Sequence, residues 1–172
     1  MKKTALITLI SVFSVVTAFT QTTKVGTIDT DYALLQMPEL APAQDSLNAY
    51  KEKLGKQLAD KTANYDKIFK EAQATFESMT DAEKKAKQEE LAGLENDMTS
   101  FRRNGSQLIE FKQNDLLRPI YQKISENVAI VAKELGYTQI LNIGDNNNLA
   151  YIDPAYDITR LVLVNMGISV KE

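Results

Sequence analysis

Hydrophobic side chains follow a helical spacing through the middle of this chain and a strand-like spacing only near its ends. Between Pro42 and Gly136 the pattern is one-sided, because apolar residues recur every three or four positions among charged and amide residues. In the first part of this run the stripe repeats about every eleven residues, which favours a straight or slightly right-handed pairing over a leucine zipper. Lys61 interrupts it. The stripe comprises Tyr50, Leu54, Leu58, Tyr65, Phe69, Ala72, Phe76 and Met79.

A second stripe follows, and it becomes more apolar towards its C-terminal end. Gly105 is a weak point in it, and Pro119 predicts a kink. Gly136 ends the helical pattern, as expected of a residue that readily adopts a left-handed conformation. The second stripe comprises Leu91, Leu94, Met98, Phe101, Leu108, Phe111, Leu117, Ile120, Ile124, Val128, Val131 and Leu135.

The two ends of the chain carry the strand signals. The segment from residue 24 begins as a short strand, after which Asp29 or Thr30 can cap a short helix. Residues 138–143 and 149–153 predict two strands joined by a turn, as in a β-hairpin. Asp157 is placed to cap a final helix, which Gly167 closes.

These elements predict an α+β fold made of a small β-rich body and a long helical insertion. A strand is not stable alone, so residues 21–43 and 137–172 must meet in one body. Residues 44–136 then have to leave that body and return to it, which favours an antiparallel helical hairpin over a rod. Residues 80–83 read Thr-Asp-Ala-Glu, a capping box that can start the returning helix. We therefore expect the tip of the hairpin near residues 78–82.

The amino-acid composition excludes several classes of catalytic and metal site. The chain contains neither Cys nor His, which removes the commonest nucleophile–base pairs and the commonest zinc ligands. The Asn-rich segment at 145–148 lacks the spaced carboxylates of a calcium loop and is typical of a hairpin turn. We therefore expect a protein that is not an enzyme and that needs no metal or cofactor.

The charges are divided unevenly along the chain. Residues 44–136 hold fifteen Lys or Arg and sixteen Asp or Glu, whereas residues 21–43 and 137–172 together hold three basic and seven acidic residues. This near-neutral, mixed distribution is unlike the basic surface of a nucleic-acid-binding protein, and we expect no nucleic-acid partner.

The first twenty residues have the layout of a cleaved secretory signal peptide. Lys2 and Lys3 precede an uncharged apolar run, and small residues follow it at positions that suit cleavage. The alternative is a membrane anchor, but the run is slightly short for a span and no basic cluster follows it. The interpretation predicts export to the periplasm without stable membrane insertion.

Both ends of the chain resemble the Skp (OmpH-like) family of periplasmic chaperones. At the front the matching residues are KVGTIDTDYALLQMPE, from Lys24 to Glu39. At the back the matching block is LGYTQILNIGDNNNLAYIDPAYDITRLVLVNM, which contains the motif Asp157-Ile158-Thr159. The long charged insert between them fits the family in length and position.

This resemblance implies a homotrimer in which each subunit contributes strands to a central body and one helical arm. The arms would enclose unfolded outer-membrane proteins and prevent their aggregation without ATP. The alternative is a structural or adaptor coiled-coil protein of the envelope with one folded partner. The predicted oligomerisation residues of the body are Val25, Ile28, Ile140, Leu141, Ile143, Leu149 and Tyr151.

The apolar face of the arm supplies the predicted client contacts. Each such side chain can pack between the two helices or face a client, and a two-helix arm lacks the volume to bury every aromatic ring. The arms of well-known family members are strongly basic, whereas this one is nearly neutral, so the resemblance is not extended to lipopolysaccharide binding. The predicted client-binding residues are Tyr65, Phe69, Phe76, Met79, Met98 and Phe101.

Overall fold

A computed structural model describes residues 23–144 and 149–169 of the chain. The predicted signal peptide and the Asn-rich turn at 145–148 lie outside these residues. The elements are strand β1 (Val25–Ile28), helix α1 (Thr30–Leu35), helix α2 (Leu40–Thr75), helix α3 (Asp81–Glu134), strand β2 (Gln139–Asn142) and helix α4 (Thr159–Asn165). Short 3-10 turns at Phe76–Ser78 and Pro154–Tyr156 complete the set.

Helices α2 and α3 form a long antiparallel hairpin, which we call the arm. Lys61 of α2 pairs with Asp97 of α3, and Tyr65, further along α2, pairs with the earlier Glu95, so the helices run in opposite directions. Helix α2 has 36 residues, which corresponds to roughly 54 Å at the usual helical rise. The predicted α+β fold class, with its helical hairpin, is confirmed.

The capping box predicted at the start of the second helix is present. The Glu83 backbone N–H donates to Thr80 Oγ1 at 3.3 Å, and the Thr80 N–H donates to Glu83 Oε2 at 2.8 Å. These bonds satisfy donors that the first turn of α3 leaves unpaired. The chain reverses at the turn that runs from Phe76 to this cap.

The start of helix α2 differs from the sequence-based expectation. Helix α2 begins at Leu40, so Pro42 lies inside its first turn and does not precede it. Proline is tolerated there because first-turn N–H groups have no intrahelical partner. Helix α3 continues through Gly105 and Pro119 to Glu134, and Gly136 follows with φ of 70°, as its left-handed role predicts.

The small sheet joins the two ends of the chain. Strand β1 pairs with β2 in parallel, with Gly26 opposite Ile140, and Asp157 bridges the other edge of β1 at Thr27. The predicted β-hairpin is therefore wrong in its pairing, since residues 149–153 are not a strand. Alternating apolar residues mark a segment that suits a strand, but they do not identify its partner.

The core lies where the sheet, α1, α4 and the C-terminal half of α3 meet, a region we call the body. The N-cap of the last helix is Ile158 and not the predicted Asp157, although Asp157 Oδ1 still accepts from the Thr159 N–H at 2.8 Å. Thr159 Oγ1 in turn accepts from the Asp29 N–H at 2.9 Å and so ties α4 to β1. The buried cluster comprises Ile28, Ala33, Met37, Ile120, Ile124, Val131, Ile158, Val162 and Leu163.

Candidate functional site

The distal end of the arm contains an apolar cleft of about 410 Å³, which we call the tip cleft. Its walls come from the last two turns of α2, the turn after it, and the first three turns of α3. The apolar lining consists of Phe69, Ala72, Phe76, Met79 and Leu91. The polar lining consists of Gln73, Glu77, Lys84, Lys87 and Gln88.

Two phenylalanines of the tip cleft remain open to solvent. Phe69 is 46% exposed and Phe76 is 45% exposed, although both belong to the first apolar stripe of the sequence. Ala72, which lies between them in the sequence, is buried instead. A small residue there lets the helices approach while the flanking rings stay at the surface.

Charged groups at the tip cleft are arranged around these rings. Lys84 Nζ lies 4.7 Å from the centroid of the Phe76 ring, within cation–π distance. Lys87 Nζ pairs with Glu90 at 2.5 Å. The Glu83 carboxylate accepts from both the N–H and the hydroxyl of Thr80, and these hydrogen bonds lower its pKa.

The six predicted client-binding residues fall into two groups. Phe69, Phe76 and Met79 line the tip cleft. The other three, Tyr65, Met98 and Phe101, lie further down the arm at the contact between α2 and α3, where each is half-buried. The structure therefore brings only half of the set together in one surface.

Polar contacts hold the second group in place. The Tyr65 hydroxyl donates to Glu95 Oε1 at 2.5 Å, a bond that raises the pKa of Tyr65. Lys61 Nζ pairs with Asp97 at 2.5 Å and lies 5.5 Å from the centroid of the Phe101 ring. Lys61, which interrupts the apolar stripe, thus joins the two helices by charge.

The second apolar stripe was predicted one position out of register between Phe101 and the body. Gly105 is buried and Ile109 is half-buried, whereas Leu108 is 44% exposed and Phe111 is 71% exposed. Leu108 and Phe111 line a separate groove with Tyr50. The shift escaped prediction because both neighbouring positions, 108 and 109, are apolar and the spacing alone does not choose between them.

The seven predicted oligomerisation residues also divide by exposure. Ile28 is buried in the core, Ile140 packs against it, and the backbone N–H of Ile143 donates to Ile28 O at 2.8 Å. The others present apolar surface to solvent, and Tyr151 is the most open at 80%. The exposed members are Val25, Leu141, Leu149 and Tyr151.

Neither a metal site nor a membrane span is found in the described parts of the chain. Residues 23–144 and 149–169 contain no group of three acidic side chains positioned to hold a metal ion. Over the same residues, every helix is too short or too polar to traverse a bilayer.

Comparison with known proteins supplies the family. The model of the family described as outer membrane protein (OmpH-like) matches residues 24–166. An OmpH-like protein from Caulobacter crescentus CB15, solved as a candidate outer membrane chaperone, superposes with a TM-score of 0.64 at 15% identity, covering 87% of this chain and 88% of that one. No curated protein sequence matches significantly. Because the family model spans most of its length, this chain belongs to the OmpH-like outer membrane protein family.

Proposed function

We propose that this protein is an ATP-independent periplasmic holdase, which binds unfolded outer-membrane β-barrel proteins between its arms and prevents their aggregation. The observation that carries the proposal is the tip cleft, where Phe69, Phe76 and Met79 present apolar surface at the end of a long arm. Phe and Met adapt to differently shaped partners, which suits a binder of many unfolded chains. Membership of the OmpH-like family and the likeness to a candidate chaperone support the same role.

The proposal includes assembly of the body into a homo-oligomer, expected to be a trimer. Strand β2 has β1 on one side, and its residues are largely exposed. An edge strand of this kind is a template for pairing with another chain. The exposed side chains of Leu141 and Tyr151 would be covered in such an assembly.

The proposal assigns different roles to the body and to the arm. Residues 21–43 and 137–172 would associate with other copies, while residues 44–136 would reach the client. Export through a cleaved signal at 1–20 would place the protein in the periplasm, where such clients are in transit.

The test is suppression of aggregation by the purified oligomer. Two unrelated outer-membrane β-barrel proteins are diluted from urea with and without the protein, and light scattering is recorded. We expect suppression for both clients, and we expect it to fall when Phe69, Phe76 and Met79 are all replaced by Ser. The Phe111→Ser variant is the matched control, because it removes an exposed arm phenylalanine outside the tip cleft.

Two results would contradict the proposal. If neither client is protected while one folded envelope protein binds stably, the chain is an adaptor. If Phe111→Ser reduces suppression as much as the triple variant, the tip cleft is not the client site. Sedimentation of each variant checks that the oligomer is intact.

A further inference from the structure

The tip cleft combines an apolar floor with a cation that has no acidic partner. Lys84 has no carboxylate within ion-pair distance among residues 23–144 and 149–169, in contrast to Lys87, which Glu90 neutralises. The ring of Phe76 holds the Lys84 ammonium over its face but does not neutralise its charge. A positive charge thus stands beside exposed aromatic surface.

The acidic residue next to Lys84 in the chain is engaged elsewhere. Glu83 Oε2 accepts hydrogen bonds from the Thr80 N–H at 2.8 Å and from the Thr80 hydroxyl at 2.7 Å. The capping box therefore keeps this carboxylate at the start of α3. The carboxylate that does line the cleft is that of Glu77, which makes no ion pair with Lys84.

From this arrangement we propose that the tip cleft binds a short extended polypeptide segment in which a large apolar side chain is followed by a carboxylate. The apolar side chain would lie on Phe69 and Phe76, and the carboxylate would meet Lys84 Nζ. Glu77, which also lines the cleft, would repel a carboxylate placed next to it and so favour the orientation that brings the carboxylate to Lys84. The inference rests on the proposed function and narrows it to a class of client sequence.

The size of the cleft fits this occupant. A volume of about 410 Å³ lies at the lower end of the usual range for ligand pockets, about 300 to 1,000 Å³. Such a space holds one or two side chains and not a folded surface. Gln73 and Gln88, which also line the cleft, can hydrogen-bond to the backbone of an extended segment without selecting its side chains.

The test measures fluorescence anisotropy with short labelled Gly/Ser peptides that carry one Phe followed by Asp, Asn or Lys. We expect the Phe-Asp peptide to bind about threefold to fivefold more tightly than Phe-Asn, as a partly exposed ion pair allows, and Phe-Lys to bind most weakly. Added salt should reduce the difference, because it screens charges near the surface.

Three single substitutions make the test specific. Lys84→Gln should abolish the preference for Phe-Asp, and Glu77→Gln should increase it. Lys85→Gln is the matched control, because Lys85 is exposed and does not line the cleft, and it should leave the preference unchanged. Phe76→Ser should weaken binding of all three peptides.

The inference is overturned if the wild-type protein does not distinguish the peptides, or if Lys85→Gln acts as strongly as Lys84→Gln. Failure of the inference and failure of the proposed function remain distinguishable. A protein that suppresses aggregation but shows no peptide preference keeps the function and loses the inference. A protein that suppresses no aggregation loses the proposed function, whatever the peptides show.

Discussion

The body and the arm bury their apolar side chains in opposite ways. In the body, Ile124, Ile158 and Leu163 are each at most 1% exposed and belong to one continuous cluster. In the part of the arm that lies outside the body, the most buried hydrophobic side chains are Leu54 at 9% and Ala72 at 8%, and neither belongs to that cluster. Two helices offer each other a single line of contact, whereas the body packs helices against a sheet. The arm therefore keeps apolar surface available, and the body supplies most of the stability.

Equivalent truncations should expose this difference. Ile124→Ala removes a side chain from the cluster and should lower the free energy of unfolding by about 2 to 5 kcal/mol. Leu54→Ala should cost less, at or below the low end of that range, because the arm can relax around the gap. Urea unfolding followed by circular dichroism measures both, and hydrogen exchange should show opening confined to the arm in Leu54→Ala. Equal global losses would mean that the arm is as tightly packed as the body.

Glycine substitutions should have opposite signs in the two regions. A Cβ at Gly26 would lie 2.8 Å from Tyr137 Cε1 and 2.9 Å from Ile140 Cδ1, so Gly26→Ala should destabilise by about 1 to 3 kcal/mol through overpacking. A Cβ at Gly105 would meet no heavy atom within 4 Å. Gly105→Ala should therefore stabilise the arm by about 0.5 to 1 kcal/mol, since alanine favours a helix interior. Thermal unfolding of both variants decides the signs, and destabilisation by Gly105→Ala would indicate a closer helix contact than the structure has.

The local elements could be predicted from the sequence because short-range chemistry determines them. Thr80 and Glu83 form a capping box through bonds within one helical turn, and Gly136 needs only its own backbone freedom. The pairing of β2 with β1 could not be predicted, because it joins residues more than a hundred positions apart. The alternation of apolar and polar residues in the segment 149–153 does not determine which strand edge, if any, the segment pairs with.

The candidate site was likewise predictable only where it depends on residues close together in the sequence. Phe69, Phe76 and Met79 were identifiable as apolar arm residues near the turn, but their spacing did not show that the two rings stay exposed while Ala72 is buried. Lys84 carried no signal in the sequence, since a lysine in a charged helix is usually solvated. Its significance comes from the Phe76 ring beneath it and from the cap that occupies Glu83.

The capping box at the tip offers a smaller effect with a pH signature. Thr80→Ala should cost about 1 kcal/mol of local helix stability, the usual value for an N-cap. Thr75→Ala is the control, because the Thr75 hydroxyl only donates to the Glu71 carbonyl within α2. Hydrogen exchange of the first turn of α3 should accelerate in Thr80→Ala and not in Thr75→Ala.

Acid should weaken the same turn in the wild-type protein. The hydrogen bonds from Thr80 lower the pKa of Glu83 below its ordinary value of 4.5. A lowered folded-state pKa gives stabilisation that is complete above the unfolded pKa and is lost as pH falls through the folded value. Protection of the first turn should therefore decrease below about pH 4.5, and Thr80→Ala should remove this dependence. A wild-type profile that stays flat into acid would show that the cap is not formed in solution.

The smallest effect should come from the charged link between the two helices of the arm. Lys61 and Asp97 keep side-chain exposures of 35% and 53%, so solvent screens their pairing. A double-mutant cycle with Lys61→Met and Asp97→Ala should give a coupling energy of about 0.2 to 1 kcal/mol that disappears in high salt. The cycle at Lys67 and Glu71, which are 4.0 Å apart within one helix, is the matched control. If Lys61→Met alone makes the arm more stable than the wild type, an apolar side chain at position 61 packs better between the two helices than the lysine does. The ion pair with Asp97 is then not a net stabilising contact.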